Sequence, residues 1–242
     1  FTTYKKNIVF IGRDNGRFVD NTKYLFLYAL DKNEFKHHKY FLTEDKKTYI
    51  ELASKNIPVL LYPSIKSFFI LLTTKVVVVD SERWIGRIKY HYLFNAKRLQ
   101  LWHAVPTKKI GLATRNTLIE NGEYSTKDKI LDAFRGAYCK YDIFNSTSDY
   151  LINSIFSKAF IANSYVNFGY PRNDMLFSKD NLKNMISTDR ESIERIFLSK
   201  SNKSKIILYA PTFRKSGEAK YIPLKISQLN GFCKNNNLFL II

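Results

Sequence analysis

Short β-branched runs alternate along this chain with helix-like patterns, and that rhythm restricts the fold more than any other feature, because it is the signature of parallel βα units. Asn7–Ile11 reads as the first strand, and Thr22–Leu30 as a helix with Asn21 as its cap. His38–Leu42, Val59–Tyr62 and Val76–Asp80 read as later strands, with helices over Lys46–Lys55 and Ile65–Leu72 between them. Leu99–Trp102 reads as a strand that ends abruptly at His103. Ile143–Asn145 is a further short one, with Ser146, Thr147 and Ser148 as cap candidates for a helix through Phe160.

After about residue 165 the rhythm restarts. Ser187–Phe197 and Leu224–Asn235 are expected helices, Lys205–Tyr209 and Leu238–Ile242 expected strands. The expectation is an α/β chain with a complete first domain over 1–165 and the opening of a second over 166–242. Phe1 is no initiator methionine, and Leu238–Ile242 is an apolar run with no turn residues after it, so a fragment is expected.

In open α/β sheets ligands gather beyond the carboxyl ends of strands, which directs attention to His103–Gly111 and Ala210–Arg214, and a turn between them in sequence adds a third segment. In Leu99-Gln-Leu-Trp-His-Ala-Val-Pro-Thr-Lys-Lys-Ile-Gly111 a strand delivers His103 to its carboxyl end, and Pro106, Lys108 and Lys109 follow. An imidazole there can take a proton from an attacking hydroxyl while the cations hold phosphate oxygens; the alternative is a structural or surface histidine. In Phe168-Gly-Tyr-Pro-Arg-Asn-Asp-Met175, Gly169 and Pro171 enforce a turn that displays Arg172, whose planar fork suits phosphate. Asn173 or Asp174 is a possible cap for a following helix, and Arg172 paired with Asp174 is the plain alternative. Leu208-Tyr-Ala-Pro-Thr-Phe-Arg214 again runs a strand into a proline turn bearing Thr212 and Arg214, a pattern that an ordinary βα loop also shows.

Lysine and arginine exceed aspartate and glutamate by 18. That excess favours an anionic partner, be it a phosphate polymer, nucleotide, nucleic acid or acidic lipid; a lysine-rich solvated surface is the alternative for any single basic run. Cys139 and Cys233 stand far apart without metal-ligand spacing and read as buried thiols of a reducing compartment. His37 and His38 read as surface residues, and no metal site is expected. Phe68–Leu72 and Val76–Val79 are interrupted by Thr73, Thr74 and Lys75 and are too short to span a bilayer. A cytoplasmic location is the working assumption.

The order Trp-His-x-x-Pro-x-Lys-Lys, Gly-Tyr-Pro-Arg-Asn-Asp, Ala-Pro-Thr-Phe-Arg resembles the CDP-glycerol glycerophosphotransferase family, the teichoic acid primases and polymerases and related capsule polymerases. The Gly12–Phe26 stretch, with Asp20-Asn21-Thr22-Lys23-Tyr24, is similar to that family's first strand, loop and helix. The resemblance implies a GT-B fold of two Rossmann-like domains, with the acceptor side in the first and the nucleotide donor in the second. It also implies attack by an acceptor hydroxyl on the β-phosphorus of a CDP-polyol, with loss of CMP. Carried over by position, His103 is the expected general base, and Trp102, Ala104, Val105, Pro106 and Lys108 line the donor cleft. Arg172, Asp174, Pro211, Thr212 and Arg214 face the donor phosphates or their surroundings. No cofactor is implied beyond the CDP-polyol substrate.

The family usually reads Trp-His-Gly-Thr-Pro, whereas this chain has Ala104 and Val105, losing a close backbone approach and a hydroxyl. The family's later His-containing and Asp-Tyr-Ser-Ser-type elements would follow Ile242, so these residues alone are expected to be inactive. The implied acceptor is a lipid-linked anionic polymer at the inner membrane face. Arg83–Arg98, which mixes Trp84, Tyr90, Tyr92 and Phe94 with Arg83, Arg87, Lys89, Lys97 and Arg98, is a candidate contact for anionic lipid or else a partly buried helix. The rival readings are a GT-B glycosyltransferase or sugar-phosphate transferase using another nucleotide sugar, and a basic nucleic-acid-binding module. The second has no zinc-finger spacing or RNA-binding aromatic motif here.

Overall fold

The computed structural model describes residues 7–32, 37–85, 88–177, 194–196, 198–199, 204–209 and 225–241. Two compact units divide the chain, Phe1–Lys179 and Asp180–Ile242.

The first unit is built on a seven-stranded sheet, β1 (Asn7–Ile11), β2 (His38–Thr43), β3 (Val59–Leu61), β4 (Thr74–Val79), β5 (Lys97–Gln100), β6 (Lys140–Asn145) and β7 (Ile161–Val166). Spatially the order is β3-β2-β1-β4-β5-β6-β7, and every pairing is parallel. Helices α1 (Asp20–Asp31), α2 (Lys46–Ser54), α3 (Ile65–Leu72), α4 (Gly111–Glu120) and α5 (Thr126–Phe134) connect the strands. A helical run of three pieces, Asp149–Leu151, Ile152–Phe156 and Ser157–Ala159, with π geometry in the middle, joins β6 to β7.

Central strands covered on both faces can be apolar throughout rather than alternating. Accordingly Val77, Val78 and Val79 of β4 and Val9, Phe10 and Ile11 of β1 are all buried. Towards β6 the core is aromatic: Phe144 lies 4.9 Å from Phe156 and 5.0 Å from Phe160, and Trp102 lies 4.9 Å from Phe160. Order along the sheet reverses between β1 and β4, because the chain moves out through β2 and β3 and then crosses back. The crevice beyond the carboxyl ends of such a pair is where open α/β sheets bind ligands.

The chain leaves β1 through a tight turn over Arg13–Gly16 in which Asp14, Asn15 and Gly16 have φ of 49°, 67° and 79°. Glycine is required at Gly16: a Cβ there would lie 2.5 Å from the Leu42 carbonyl oxygen in a left-handed backbone.

The second unit contains β8 (Lys205–Leu208) and β9 (Leu238–Ile241), paired in parallel, with α6 (Ile226–Asn235) between them in sequence. The two expected strands and the helix are present, the first strand ending at Leu208 rather than Tyr209, while Leu224 and Ile242 lie outside the described residues. The expected helix Ser187–Phe197 falls mostly outside the described residues. Cys139 and Cys233 are buried free thiols, as anticipated.

Several expectations need correction. Asn21 is not the cap of α1; it lies inside the first turn, and the capping position is Val19. The fifth strand stops at Gln100, although Leu101 N still donates to the Val79 carbonyl at 2.7 Å. Thr74 and Lys75 open β4 rather than interrupt an apolar run. The turn at Gly169 and Pro171 leads into a 3-10 turn, Pro171–Leu176, that contains Asn173 and Asp174, and the helix they were expected to cap falls outside the described residues. Arg83–Arg98 is not one helix: a 3-10 turn (Glu82–Ile85), a short helix (Lys89–Tyr92) and β5 divide it, and Arg87 lies outside the described residues. Trp84 and Lys89 are buried, Lys89 against Glu44, whereas Arg83, Phe94 and Lys97 are exposed, Lys97 while also pairing with Asp142.

Candidate functional site

Three consecutive residues at the start of α1 bind three different parts of the first unit, and the candidate site is assembled around them. Asp20 sits in a left-handed conformation (φ 61°) with its carboxylate buried. It receives the Arg172 guanidinium through Nη1 at 2.7 Å and that of Arg13 at 3.4 Å. Asn21, wholly buried, donates from Nδ2 to the Trp102 carbonyl at 2.8 Å and accepts from the Arg172 backbone N–H at 3.2 Å. Thr22, also wholly buried, donates to Asp80 Oδ2 from both its N–H (3.2 Å) and its hydroxyl (2.8 Å).

The first turn of a helix has N–H groups without intrahelical acceptors and a partial positive charge that favours a carboxylate. Val19 has no side-chain acceptor to offer. The role falls to Asp20, which accepts from the Asn21 N–H at 3.0 Å, and to Asp80 at the carboxyl end of β4.

His103 is half-buried, and its Nδ1 lies 2.5 Å from the backbone carbonyl of Asp80. A carbonyl only accepts, so Nδ1 carries the hydrogen and the neutral ring has its lone pair on Nε2. The imidazole also lies against the Trp102 indole, centroids 4.8 Å apart at 32°. This arrangement is chemically able to accept a proton at Nε2 while the ring is held by its other nitrogen.

Arg172 is presented as the turn was expected to present it, but its partner is Asp20 and not Asp174, which is exposed. Its guanidinium lies over the Tyr170 ring at 5.2 Å, and the Tyr170 hydroxyl donates to the Ala104 carbonyl at 3.1 Å. Burial pushes the Tyr170 phenol up to about 12, which keeps it a donor. The Trp102–Ala104 and Tyr170–Arg172 segments are thus joined both through Asn21 and through Tyr170.

Of the other residues singled out, Ala104 and Pro106 are half-buried, Val105 is exposed, and Lys108 projects into solvent. Lys109 is engaged with the Thr117 hydroxyl at 2.8 Å. Pro211, Thr212 and Arg214 lie outside the described residues. No group of three His, Cys, Asp or Glu side chains suited to a metal ion occurs among the described residues. A separate cavity of about 510 Å³ opens among Ile85, Leu112, Phe134, Tyr138 and Phe160, and His103 does not line it.

Asp80 was not singled out from the sequence, although a carboxylate directly after four valines at a strand end was a usable signal. Asn21 and Asp20 carried no such signal beyond lying in a stretch of family resemblance. Burial raises the Asp80 carboxyl to about 6, assisted by Asp20 and opposed by the Thr22 hydrogen bonds and Arg13. Its Oδ1 is buried without a hydrogen-bond partner among the described residues.

An unfolded aspartate titrates near 3.8, so the folded chain holds this proton more tightly. That contribution to stability is complete below pH 4 and is lost as pH rises through 6, a change of up to about 3 kcal/mol. Asp80→Asn keeps an oxygen acceptor for both Thr22 bonds and removes the titration. The variant is expected to gain stability relative to wild type between pH 4 and pH 8 in urea unfolding; an identical difference at both pH values would contradict the assignment.

The sequence profile of the family described as CDP-Glycerol:Poly(glycerophosphate) glycerophosphotransferase matches residues 2–242. Teichoic acid poly(glycerol phosphate) polymerase of Bacillus spizizenii is 28% identical over 214 residues, covering 87% of this chain and 50% of its own. Teichoic acid glycerol-phosphate transferase of Staphylococcus aureus is 28% identical over 228 residues, covering 88% and 54% respectively. Among solved structures, the wall teichoic acid polymerase TagF superposes with a TM-score of 0.61 at 19% identity, covering 97% of this chain and 55% of that one. A variant of TagF soaked with CDPG gives 0.63 at 18% identity with the same coverage. The chain spans about half the length of these relatives. At such identity the structural likeness speaks for the fold, and the α/β, GT-B-like class expected from the sequence stands.

Proposed function

The chain belongs to the CDP-glycerol:poly(glycerophosphate) glycerophosphotransferase family, and from that premise we propose that the protein carrying it is a polyol phosphate transferase. It moves glycerol phosphate, or a related polyol phosphate such as ribitol phosphate, from a CDP-polyol to a hydroxyl of a teichoic-acid-like or capsular polymer. The observation that supports this reading is His103 beyond β5, with Nδ1 on the Asp80 carbonyl at the end of β4, one of the two switch strands, and Nε2 left as the basic nitrogen.

In this reading the acceptor hydroxyl gives its proton to His103 Nε2 as its oxygen bonds to the β-phosphorus of the donor. The bond from that phosphorus to the bridging oxygen breaks, and CMP leaves with the electron pair. Phosphoryl transfer needs positioning and charge stabilisation more than covalent help. Arg172, oriented by Asp20 and Tyr170, is suited to hold a donor phosphate. Trp102, Ala104, Val105, Pro106 and Lys108 are assigned to the donor's surroundings, with Asp174, Pro211, Thr212 and Arg214. Residues 1–165 are assigned to the acceptor side and 166–242 to the opening of the donor-binding domain, with Tyr170 and Arg172 packed on the former.

The acceptor in this proposal is a lipid-linked anionic polymer, met at the cytoplasmic face of the membrane. The net charge of +18 supports an anionic partner. Among the described residues no helix is long and apolar enough to cross a membrane, and with Trp84 and Lys89 buried the proposed peripheral contact rests on the overall charge and on the exposed Arg83, Phe94 and Lys97.

Nucleotide competition tests the donor class. In the full-length protein, CMP and CDP are expected to inhibit turnover and to raise the melting temperature, with UDP and GDP lacking either effect. Protection by UDP or GDP instead would move the assignment to a nucleotide-sugar transferase.

A further inference from the structure

Trp102 occupies the left-handed region at φ 56°, a conformation that is costly for a bulky residue and persists only where the surroundings dictate it. The surroundings here are specific. Its N–H donates to Gln100 Oε1 at 3.0 Å, and its carbonyl accepts from Asn21 Nδ2 at 2.8 Å. Both of these side chains are fully buried. The Trp102 indole is enclosed by Phe144, Phe156 and Phe160, so neither end of the residue can relax without breaking a buried contact.

The consequence falls on the next residue. With Trp102 left-handed, the backbone leaves the strand direction after Leu101 and the His103 ring meets the Asp80 carbonyl, one strand away in the sheet. A relaxed, extended Trp102 would send His103 elsewhere. The orientation of the Asn21 amide is not arbitrary, because the Trp102 carbonyl needs a donor and the Arg172 N–H needs an acceptor. One side chain therefore meets the residue before His103 and the backbone of Arg172 at once.

We infer that Asn21 is a positioning residue for the reaction: by bonding the Trp102 carbonyl and the Arg172 N–H, it fixes His103 as the Nδ1–H tautomer and sets its spacing from the guanidinium. Asparagine suits the task because it offers one donor and one acceptor on a short, stiff side chain. Aspartate retains only the acceptor, and alanine offers neither. The inference deepens the functional reading above and rests on it for its kinetic consequence, whereas the tautomer is a property of the protein without substrate.

The test is ¹⁵N NMR of histidine-labelled full-length protein, with the His103 ring signals assigned by their loss in His103→Ala, alongside steady-state kinetics. Wild type is expected to show the Nδ1–H tautomer. Asn21→Ala is expected to show a mixture of tautomers with kcat lowered about 10- to 100-fold and donor KM changed less, the penalty of a small misplacement at a reacting centre. Should Asn21→Ala fail to fold, the near-isosteric Asn21→Asp carries the same expectation through the lost donor. A folded variant with the Nδ1–H tautomer intact and kcat unchanged would overturn the inference. An altered tautomer in a protein that turns over no CDP-polyol would sustain Asn21 in its positioning role and overturn the functional reading instead.

Discussion

His103→Ala is expected to lower acceptor-dependent turnover by about 10²- to 10⁴-fold while leaving donor binding near its wild-type value. That range is the usual share of a positioned general base. The separation of effects follows from the geometry. The imidazole is half-buried and held at its edge by the Asp80 carbonyl, whereas Trp102 is anchored independently through Gln100 and Asn21. Removing the ring therefore leaves the loop backbone in place, and the fold should lose about 1 kcal/mol, as for a partly exposed side chain that rests on one ring, the Trp102 indole. His103→Gln is the sharper variant: its amide can still donate to Asp80 but supplies no base. Turnover within threefold of wild type in either variant would remove His103 from the base role.

The second large effect belongs to Arg172. Arg172→Ala is expected to lower kcat/KM for the CDP-polyol about 10²- to 10³-fold, the scale of losing one oriented donor to a charged phosphoryl group. Its side chain bonds through Nη1 to Asp20 and lies over Tyr170, which leaves guanidinium N–H groups to meet an oxyanion. Arg172→Lys should recover little, because an ammonium cannot hold Asp20 and a phosphate with one planar fork. Asp20→Asn separates orientation from charge: it weakens the tether while leaving Arg172 present, so a smaller loss is expected. If Arg172→Ala affected stability alone, with kcat/KM of the folded fraction unchanged, the arginine would be a structural partner of Asp20 and no more.

The strands were legible where their own residues dictate burial. β1 and β4 carry apolar runs, and β2 an apolar end, because they lie in the middle of a covered parallel sheet, and α3 was readable over Ile65–Leu72 although its cap, Ser64, was not singled out. β5 was misjudged at its end because Leu101 and Trp102 are buried for a tertiary reason after the strand has finished. Helices α4 and α5 were not anticipated. α4 has little apolar periodicity and starts at a left-handed Gly111, but α5 did carry a signal in Ser125 and Asp128, which form a reciprocal capping pair. The edge strand β7 is mostly exposed or half-exposed, so its sequence has little apolar pattern to detect.

At the candidate site, the display of His103 at a strand end and of Arg172 on a proline turn could be read locally. Their link could not. Asn21 meets Trp102 across 81 positions and Arg172 across 151, and a left-handed tryptophan has no sequence signature. Residues whose function is to join distant segments are visible only once the sheet has brought those segments together.

The central claim is a transfer of polyol phosphate that depends on His103. It is tested most directly by CMP release from CDP-glycerol and CDP-ribitol in the full-length protein, with and without a teichoic-acid-like acceptor, in wild type and His103→Ala. Acceptor-dependent CMP release by wild type is expected with at least one of the two donors, with its loss in a variant that still binds that donor. Absence of CMP release from either donor by the folded wild type, or equal release by the variant, would contradict it.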